Sequence, residues 1–308
     1  MSERVLVTGA LGCVGAWAVK AILDDGDEPV GYDLGDADHR LRLVLAPDER
    51  DGLTLVRGDI TDADALGRVL DEERITRVVH LAALQVPFCR ENPALGARVN
   101  VVGTVNVFEA VKARLDRIPG VAYASSAAVY GPADPSPAPE SGGLAPGTIY
   151  GVYKLANEGT ARLYAADGGV PSVGIRPYVV YGPGRDQGMT AGPTLAMEAA
   201  VRGEGFAIAY GGRAQYDYAP DVARAFVRAA AHADGAVVAN FPGVRAPMSE
   251  VVAAIEAAAP GAEITYEDVQ LPFPAELESG ALERALGPQP ATPLADGVRA
   301  TIERFRAG

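Results

Sequence analysis

Residues Thr8–Gly15 read T-G-A-L-G-C-V-G, directly after the apolar run Val5–Leu6–Val7. A strand, a glycine-rich turn and a helix in immediate succession constrain the fold more than any other stretch of this chain. Gly9 permits the tight turn, Gly12 lets backbone approach an anionic group, and Gly15 lets the helix lie close on the strand. The helix expected from Cys13 to about Asp25 aims its free N–H groups and positive dipole end at that anion. The turn therefore reads as a diphosphate cradle, with Leu11, Cys13 and Val14 completing it. Cys13 is read as a small filler and not as a nucleophile.

A second short strand, Pro29–Asp33, ends in a carboxylate 18 positions beyond Gly15. An acidic residue at about this spacing accepts hydrogen bonds from an adenosine ribose, and it repels a 2′-phosphate. Asp33 thus points to NAD. Asp36 and Asp38 are neighbouring carboxylates that do not end the strand, and His39, Arg40 and Arg42 are cations able to meet a 2′-phosphate.

Apolar strand-like runs alternate with helical patterns along most of the chain, which argues for a doubly wound α/β architecture with a parallel sheet. The expected strands are Val5–Thr8, Pro29–Asp33, Thr54–Val56, Arg77–Leu81, Val121–Ser125 and Ser172–Arg176. Helices are expected near Ala63–Glu73, Pro93–Leu115 and Ile149–Ala166. Five prolines and four glycines between Gly131 and Gly147 mark a long loop. Farther on come a helix near Pro193–Arg202, a strand near Phe206–Ala209 and a helix over Asp221–Ala233 with Asp221 near its N-cap. A strand at Ala236–Phe241 and helices near Ser249–Ala258 and Ala295–Arg304 complete the pattern. We divide the chain into a dinucleotide-binding Rossmann domain, residues 1–180 with 221–245 returning to it, and a small substrate-binding lobe from 181–220 and 246–308.

The 308 residues are 48% hydrophobic and 22% charged, a globular composition with a net charge of −13. That balance excludes a nucleic-acid partner, whose phosphates need a basic footprint. Two cysteines, Cys13 and Cys89, are too few for a disulfide scaffold and suit a reducing cytoplasm. Met1–Arg4 runs straight into the first strand, so no signal peptide is expected, and no apolar run is long enough for a membrane span.

Tyr150 and Lys154, at i and i+4, share one face of a helix. An ammonium beside a phenol favours the phenolate, which fits Tyr150 to exchange a proton with a carbinol. Ser125 and Ser126 end a strand at the carboxyl edge of the sheet, where open parallel sheets meet their ligands. A hydroxyl there can hold a substrate oxygen in line with the tyrosine. His80 also ends a strand and reads as a core histidine.

These residues together resemble the extended short-chain dehydrogenase/reductases of the sugar-nucleotide epimerase/dehydratase group. The resemblance rests on Thr8–Gly15, Asp33, Gly58–Asp59–Ile60, His80–Leu81–Ala82–Ala83, Asn100 with Gly103–Thr104, Ser125–Ser126 through Val129–Tyr130–Gly131, Tyr150–Lys154, and Arg176–Pro177 with Tyr181–Gly182–Pro183. It implies that Asp59 and Ile60 flank an adenine, and that Leu81, Ala82 and Ala83 line the cofactor groove. Asn100 supports the site, Ser126 orients substrate, Lys154 also bonds the nicotinamide ribose, and Pro177 lies near the nicotinamide. Gln85, Ser125, Ser126, Val179, Arg185 and Arg213 are the substrate-side candidates, and no metal ligands are assigned. The helices Pro93–Leu115 and Ile149–Ala166 form the dimer bundle in similar proteins, which implies a homodimer.

The chain departs from the group where substrate binds. Val179 stands where an asparagine is frequent, and Ala214 aligns with a diphosphate-clamping arginine, leaving the adjacent Arg213 as a substitute. A late Arg-Pro-Gly-Asp clamp has no counterpart; Leu271–Pro272–Phe273–Pro274 lies in its region. Each missing charge-assisted bond is worth about 1.5–3 kcal/mol to a diphosphate. Ser126–Ala127–Ala128 replaces the Thr-Asp-Glu of the dehydratases, so dehydration lacks its acid and base. The resulting expectation is an NAD-dependent epimerase acting on a sugar or nucleotide sugar through a transient ketone. The missing clamps point to a smaller sugar or polyol acid and favour the rival, an NAD-dependent dehydrogenase of a small sugar, hydroxy acid or other carbinol that releases NADH.

Overall fold

Val5, Val7, Val78, Val79, Val121, Ala122, Val173 and Ile175 are buried on both faces of their strands, which requires a sheet covered on each side. The computed structural model, which describes residues 2–142, 144–232, 234–289 and 291–307, shows how the chain meets that requirement. Its first half runs β1 (Arg4–Thr8), α1 (Cys13–Asp24), β2 (Glu28–Asp33), α2 (His39–Val44), α3 (Pro47–Asp51), β3 (Thr54–Arg57), α4 (Ala63–Glu72) and β4 (Arg77–His80). There follow α5 (Val86–Glu91), α6 (Pro93–Ala97), α7 (Gly103–Lys112), β5 (Val121–Ala124), α8 (Ile149–Gly168), β6 (Ser172–Arg176) and β7 (Val179–Tyr181). The remainder is α9 (Gly192–Arg202), β8 (Phe206–Ile208), β9 (Arg213–Tyr218), α10 (Ala219–Ala229), β10 (Ala236–Asn240), β11 (Val244–Pro247), α11 (Met248–Ala258), β12 (Ile264–Tyr266), α12 (Ala281–Leu286) and α13 (Leu294–Ala307).

Seven strands form one parallel sheet in the order β10-β6-β5-β4-β1-β2-β3. The order reverses between β1 and β4, and such a switch point opens a crevice at the carboxyl edge. One face is covered by α1 and α10, through Ala16, Val19, Ile22, Val222 and Phe226; the other is covered through Leu66, Leu70, Phe108, Val111 and Ala161. A separate core built on Met197, Ile208, Tyr216, Val251, Ile255, Val298 and Ile302 joins the three-stranded sheet β11-β9-β7 to α9, α11 and α13.

The long helix expected over Pro93–Leu115 is divided. Between α6 and α7 the residues Arg98–Val102 form a wide π-type turn. That turn leaves the Asn100 carbonyl free to accept from Asn157 Nδ2 at 2.9 Å and from Thr104 Oγ1 at 2.7 Å. The helix placed at Asp221–Ala233 instead begins at Ala219, because Pro220 fits the first turn, and Asp221 lies inside that turn. Ala233, its expected end, lies outside the described residues, as does Gly143 in the 131–147 loop.

Candidate active site

A cleft of about 490 Å³ follows the carboxyl edge of the sheet at the β1/β4 switch point. Its floor is the glycine turn. Gly9 has φ +73°, and a Cβ there would stand 2.8 Å from the Ala82 nitrogen; one on Gly15 would stand 2.0 Å from the Gly9 carbonyl. Side chains at these positions would push the turn off the neighbouring strand and helix. No side chain caps the start of α1, so its first N–H groups face the cleft lined by Gly12, Cys13, Val14 and Gly15. This is an anion cradle built from backbone, and it suits a dinucleotide diphosphate.

Asp33 stands beside it, its carboxylate accepting from Leu11 N–H and from Gly35 N–H, both at 3.0 Å. Gly9, Leu11, Asp59, Ile60, Leu81, Ala82, Ala83 and Pro177 also line the cleft. Asp59 accepts from Thr61 N–H at 2.8 Å, which fixes the carboxylate at the wall. Each of the three cations that could meet a 2′-phosphate has a carboxylate partner already. Arg42 pairs with Asp38, while His39 and Arg40 both pair with Asp186.

Ser126, Tyr150 and Lys154 converge on the same cleft. Ser126 caps the short 3-10 turn Ala127–Val129, its hydroxyl accepting from Ala128 N–H at 3.1 Å. Thr148 caps α8 by accepting from Gly151 N–H at 3.0 Å, which starts the helix just before Tyr150. Lys154 Nζ donates to the Ala124 carbonyl at 2.6 Å and lies 5.6 Å from the centre of the Tyr150 ring. Burial pushes the Tyr150 phenol up to about 12, against the opposing pull of the Ser126 hydroxyl and the Arg185 charge. The same burial pushes the Lys154 ammonium down to about 8. The phenol is therefore raised and not lowered as its lysine partner suggested, because desolvation in this cleft outweighs the favourable neighbours.

Behind these groups lies a buried network. Ser125 Oγ donates to Glu158 Oε1 at 2.5 Å, and Arg176 meets Glu158 through Nε and a terminal nitrogen, each at 2.7 Å. Arg176 also donates to the Tyr130 hydroxyl at 2.8 Å. Ser125 borders the cleft, but its hydroxyl is engaged by Glu158. His80 is buried between Thr8 Oγ1 at 2.7 Å and Thr104 Oγ1 at 3.0 Å, and burial lowers its imidazole to about 3. Because Thr104 already donates to Asn100, the network assigns His80 as a neutral ring with its proton on Nε2. It is a core histidine.

Gln85 and Arg185 also line the cleft, and the Arg185 Nε is buried with no partner among the described residues. Three of the sequence candidates are not among the residues lining the cleft. Asn100 is buried behind it, accepting from Leu84 N–H at 2.7 Å and donating to the Leu84 carbonyl at 2.9 Å. Its role is to fix the loop after β4. Val179 is packed inside the small sheet through β7, whereas Val180 faces the cleft. Arg213 is exposed and pairs with Glu276 at 3.4 Å, so it does not replace the missing clamp. Sequence reasoning missed Tyr178, Asp186, Thr190 and Phe273 as cleft residues. Phe273 meets the Tyr178 ring edge-on, with centroids 5.9 Å apart, and only the Leu271–Pro274 apolar cluster hinted at it.

Comparison with known proteins gives the same assignment. Residues 5–240 match the NAD dependent epimerase/dehydratase family. The chain is 34% identical to a UDP-glucose 4-epimerase of Mycolicibacterium smegmatis, over 98% of each chain. It is 36% identical to UDP-glucuronate 4-epimerase 5 of Arabidopsis thaliana, over 58% of this chain and 42% of that one. The solved UDP-glucose 4-epimerase of Thermus thermophilus, in complex with NAD, superposes with a TM-score of 0.81 at 26% identity, covering 99% of both chains. With its cradle, its carboxyl-edge cleft and a full-length relative, this chain belongs to the NAD dependent epimerase/dehydratase family and is an NAD-dependent enzyme of the extended short-chain dehydrogenase/reductase type.

Proposed function

We propose that the protein inverts one hydroxyl-bearing carbon of a nucleotide-linked hexose or hexuronate, with Ser126, Tyr150 and Lys154 as its catalytic residues. The observation that carries this reading is the convergence of those three side chains at the mouth of the backbone anion cradle. The full-length resemblance to a UDP-glucose 4-epimerase supports a UDP-sugar substrate.

When bound, NAD would supply the hydride acceptor and donor that such an inversion needs. Gly12 and the start of α1 would hold its diphosphate, Asp33 would take the ribose hydroxyls, and Asp59 and Ile60 would border the adenine. Tyr150 Oη removes the proton from the substrate hydroxyl as the carbon is oxidised, and gives it back when the ketone is reduced on its other face. Ser126 holds the same oxygen by hydrogen bonding. Lys154, fixed on Ala124, keeps a positive charge beneath the phenol ring and would border the cofactor ribose. Ala127 and Ala128, buried next to Ser126, supply no acid or base for water elimination. Arg185 is the substrate-side cation, and Gln85 lies beside it in the cleft wall.

In this scheme residues 1–180 and 221–245 carry the dinucleotide, and 181–220 with 246–308 close the substrate side. Exposed Phe88, Leu95, Val102, Ile149, Val152 and Leu163 on the α5–α8 surface support a homodimer through those helices; sedimentation showing only monomer would refute it. Free Cys13 and Cys89 support a cytoplasmic location, and no described helix is long and apolar enough to cross a membrane.

The test is incubation with UDP-glucose and UDP-glucuronate, followed by proton NMR of the sugar ring and absorbance at 340 nm. Equilibration with the C4 epimer at flat absorbance is expected. Steady NADH formation without an epimer would replace the proposal with the dehydrogenase reading.

A further inference from the structure

Two walls of the cleft are tied together by a single carboxylate. Asp186 lies on the loop after β7, and it accepts from Arg40 at 2.6 Å and from His39 Nε2 at 2.8 Å. Arg40 in turn donates to the Leu11 carbonyl at 2.9 Å, inside the glycine turn, and to the Gly184 carbonyl at 3.1 Å. Both backbone groups of Leu11 are thus engaged, the N–H by Asp33 and the carbonyl by Arg40.

The loop crosses the first turns of α1. Trp17 Nε1 donates to the Pro183 carbonyl at 2.9 Å, and Cys13 Sγ lies 3.8 Å from the same oxygen. Arg40 and Asp186 both border the cleft, with side chains 12% and 34% exposed. The tie therefore lies at the rim, over the anion cradle. It also closes onto a fixed post, because Arg304 from α13 donates to the Leu43 carbonyl at 2.7 Å and to that of Val44, at the far end of α2. On the loop side, Gly184 and Gly188 flank Arg185–Gln187 with φ +88° and +105°.

We propose that Asp186, with His39 and Arg40, forms a strap over the bound dinucleotide that must open for NAD to leave, so that the cofactor stays in place while hydride is removed and returned. This rests on the reading of the cleft as an NAD site. An enzyme that recycles its cofactor within a turnover gains from a slow exit, whereas one that releases NADH each cycle would be slowed by it. The pair is partly exposed, so the strap is strong enough to slow release and weak enough to open. Asp186 acts through Arg40 and the loop; it is a positioning residue, not a catalytic one.

The experiment loads purified full-length protein with carbon-14-labelled NAD and chases it with excess unlabelled NAD. Asp186→Asn keeps the shape and removes the charge; release about tenfold faster than wild type is expected, equivalent to about 1.4 kcal/mol. Asp186→Glu, which restores the charge, is expected within about threefold of wild type, and Asp71→Asn, remote from the cleft, at the wild-type rate. Raising salt should accelerate release from wild type more than from Asp186→Asn, since only the former has an ion pair to screen. Where Asp186→Asn folds poorly, the salt series on wild type and Asp186→Glu still decides: release that salt does not accelerate from either overturns the strap. Equal release from wild type and Asp186→Asn, with the same salt response, overturns it as well. Wild-type protein that takes up no labelled NAD and releases none on denaturation overturns the cofactor site itself, and the strap with it; no uptake with NAD released on denaturation supports a closed strap.

Discussion

Replacing Glu158 with Gln tests whether the site rests on the buried ion pair behind it. Arg176 and Glu158 side chains are only 3% and 7% exposed and meet through two bonds of 2.7 Å. Gln offers one acceptor where the guanidinium presents two donors, and its amide N–H groups then point at a cation. Arg176 keeps its bonds to Tyr130 Oη at 2.8 Å and the Glu140 carbonyl at 2.9 Å, but its charge is left uncompensated. Removing one partner of such a pair costs about 3–5 kcal/mol. For a chain of this length each kcal/mol lowers Tm by roughly 1.5 °C, so a fall of about 5–8 °C is expected. Glu158 follows Lys154 by one turn on α8 and also holds Ser125, the neighbour of Ser126. Activity should therefore drop about tenfold in kcat with a smaller change in KM. Urea denaturation of Glu158→Gln, Arg176→Met and the double variant supplies the assay. The double variant should recover most of the loss, because no charge is then buried alone. A single-variant cost below about 1 kcal/mol, or strict additivity, would refute the argument.

Tyr150→Phe is expected to lower epimerisation about 10³-fold, the scale of a lost general acid–base, while NAD released on denaturation stays unchanged. Arg185→Met should raise KM for a UDP-sugar about tenfold through loss of one charge-assisted contact, and Arg213→Ala should leave KM within about twofold, since Arg213 faces Glu276. Asp217 predicts a pH effect on stability. Burial pushes its carboxyl up to about 8, so between about pH 4 and 8 the folded state holds a proton that the unfolded state has released. Stability then falls as pH rises through that window and levels off above it, by an amount on the order of a few kcal/mol. Asp217→Asn should be the more stable protein at pH 9 and should lose this slope, as read from urea midpoints at pH 5, 7 and 9.

Much of the cofactor side was readable because backbone geometry writes itself into sequence. Gly9 and Gly15 have no substitute where a Cβ would strike neighbouring backbone, and Asp33 ends its strand where the chain must turn. Ser126, Tyr150 and Lys154 were legible as a spacing on recognisable elements. The substrate side was legible only in part. Gln85 and Arg185 do line the cleft, whereas Val179 and Arg213 lie in short strands, where local pattern does not say which side chain faces inward. In β7 the alternation turned Val180 to the cleft and Val179 into the small core. Asn100 misled for a related reason: a wide turn interrupts the helix there, and no periodicity reveals which carbonyls that turn frees. Asp186 was invisible because its partners lie 146 and 147 residues away.

The charge pattern of the cleft follows from which cations have been claimed by carboxylates. Arg40 and His39 belong to Asp186, Arg42 to Asp38, and Arg213 to Glu276. The diphosphate of a dinucleotide must then be held by backbone N–H groups and a helix end, which carry partial charges and pay no desolvation penalty for a side-chain ion. Lys154 and Arg185 are left near the phenol, one lowered by burial and the other with an Nε that has no partner among the described residues. Burial raises Tyr150 and lowers Lys154 together, and both shifts oppose the charge-separated state in which phenolate faces ammonium. The Ser126 hydroxyl and the Arg185 charge pull the phenol the other way, so an anion held against Arg185 would weaken that pull and a cationic ring in the cleft would add to it. Proton abstraction by Tyr150 would thus be favoured with an oxidised cofactor in place. A strap that keeps the cofactor seated and a base that is weak without it serve the same end.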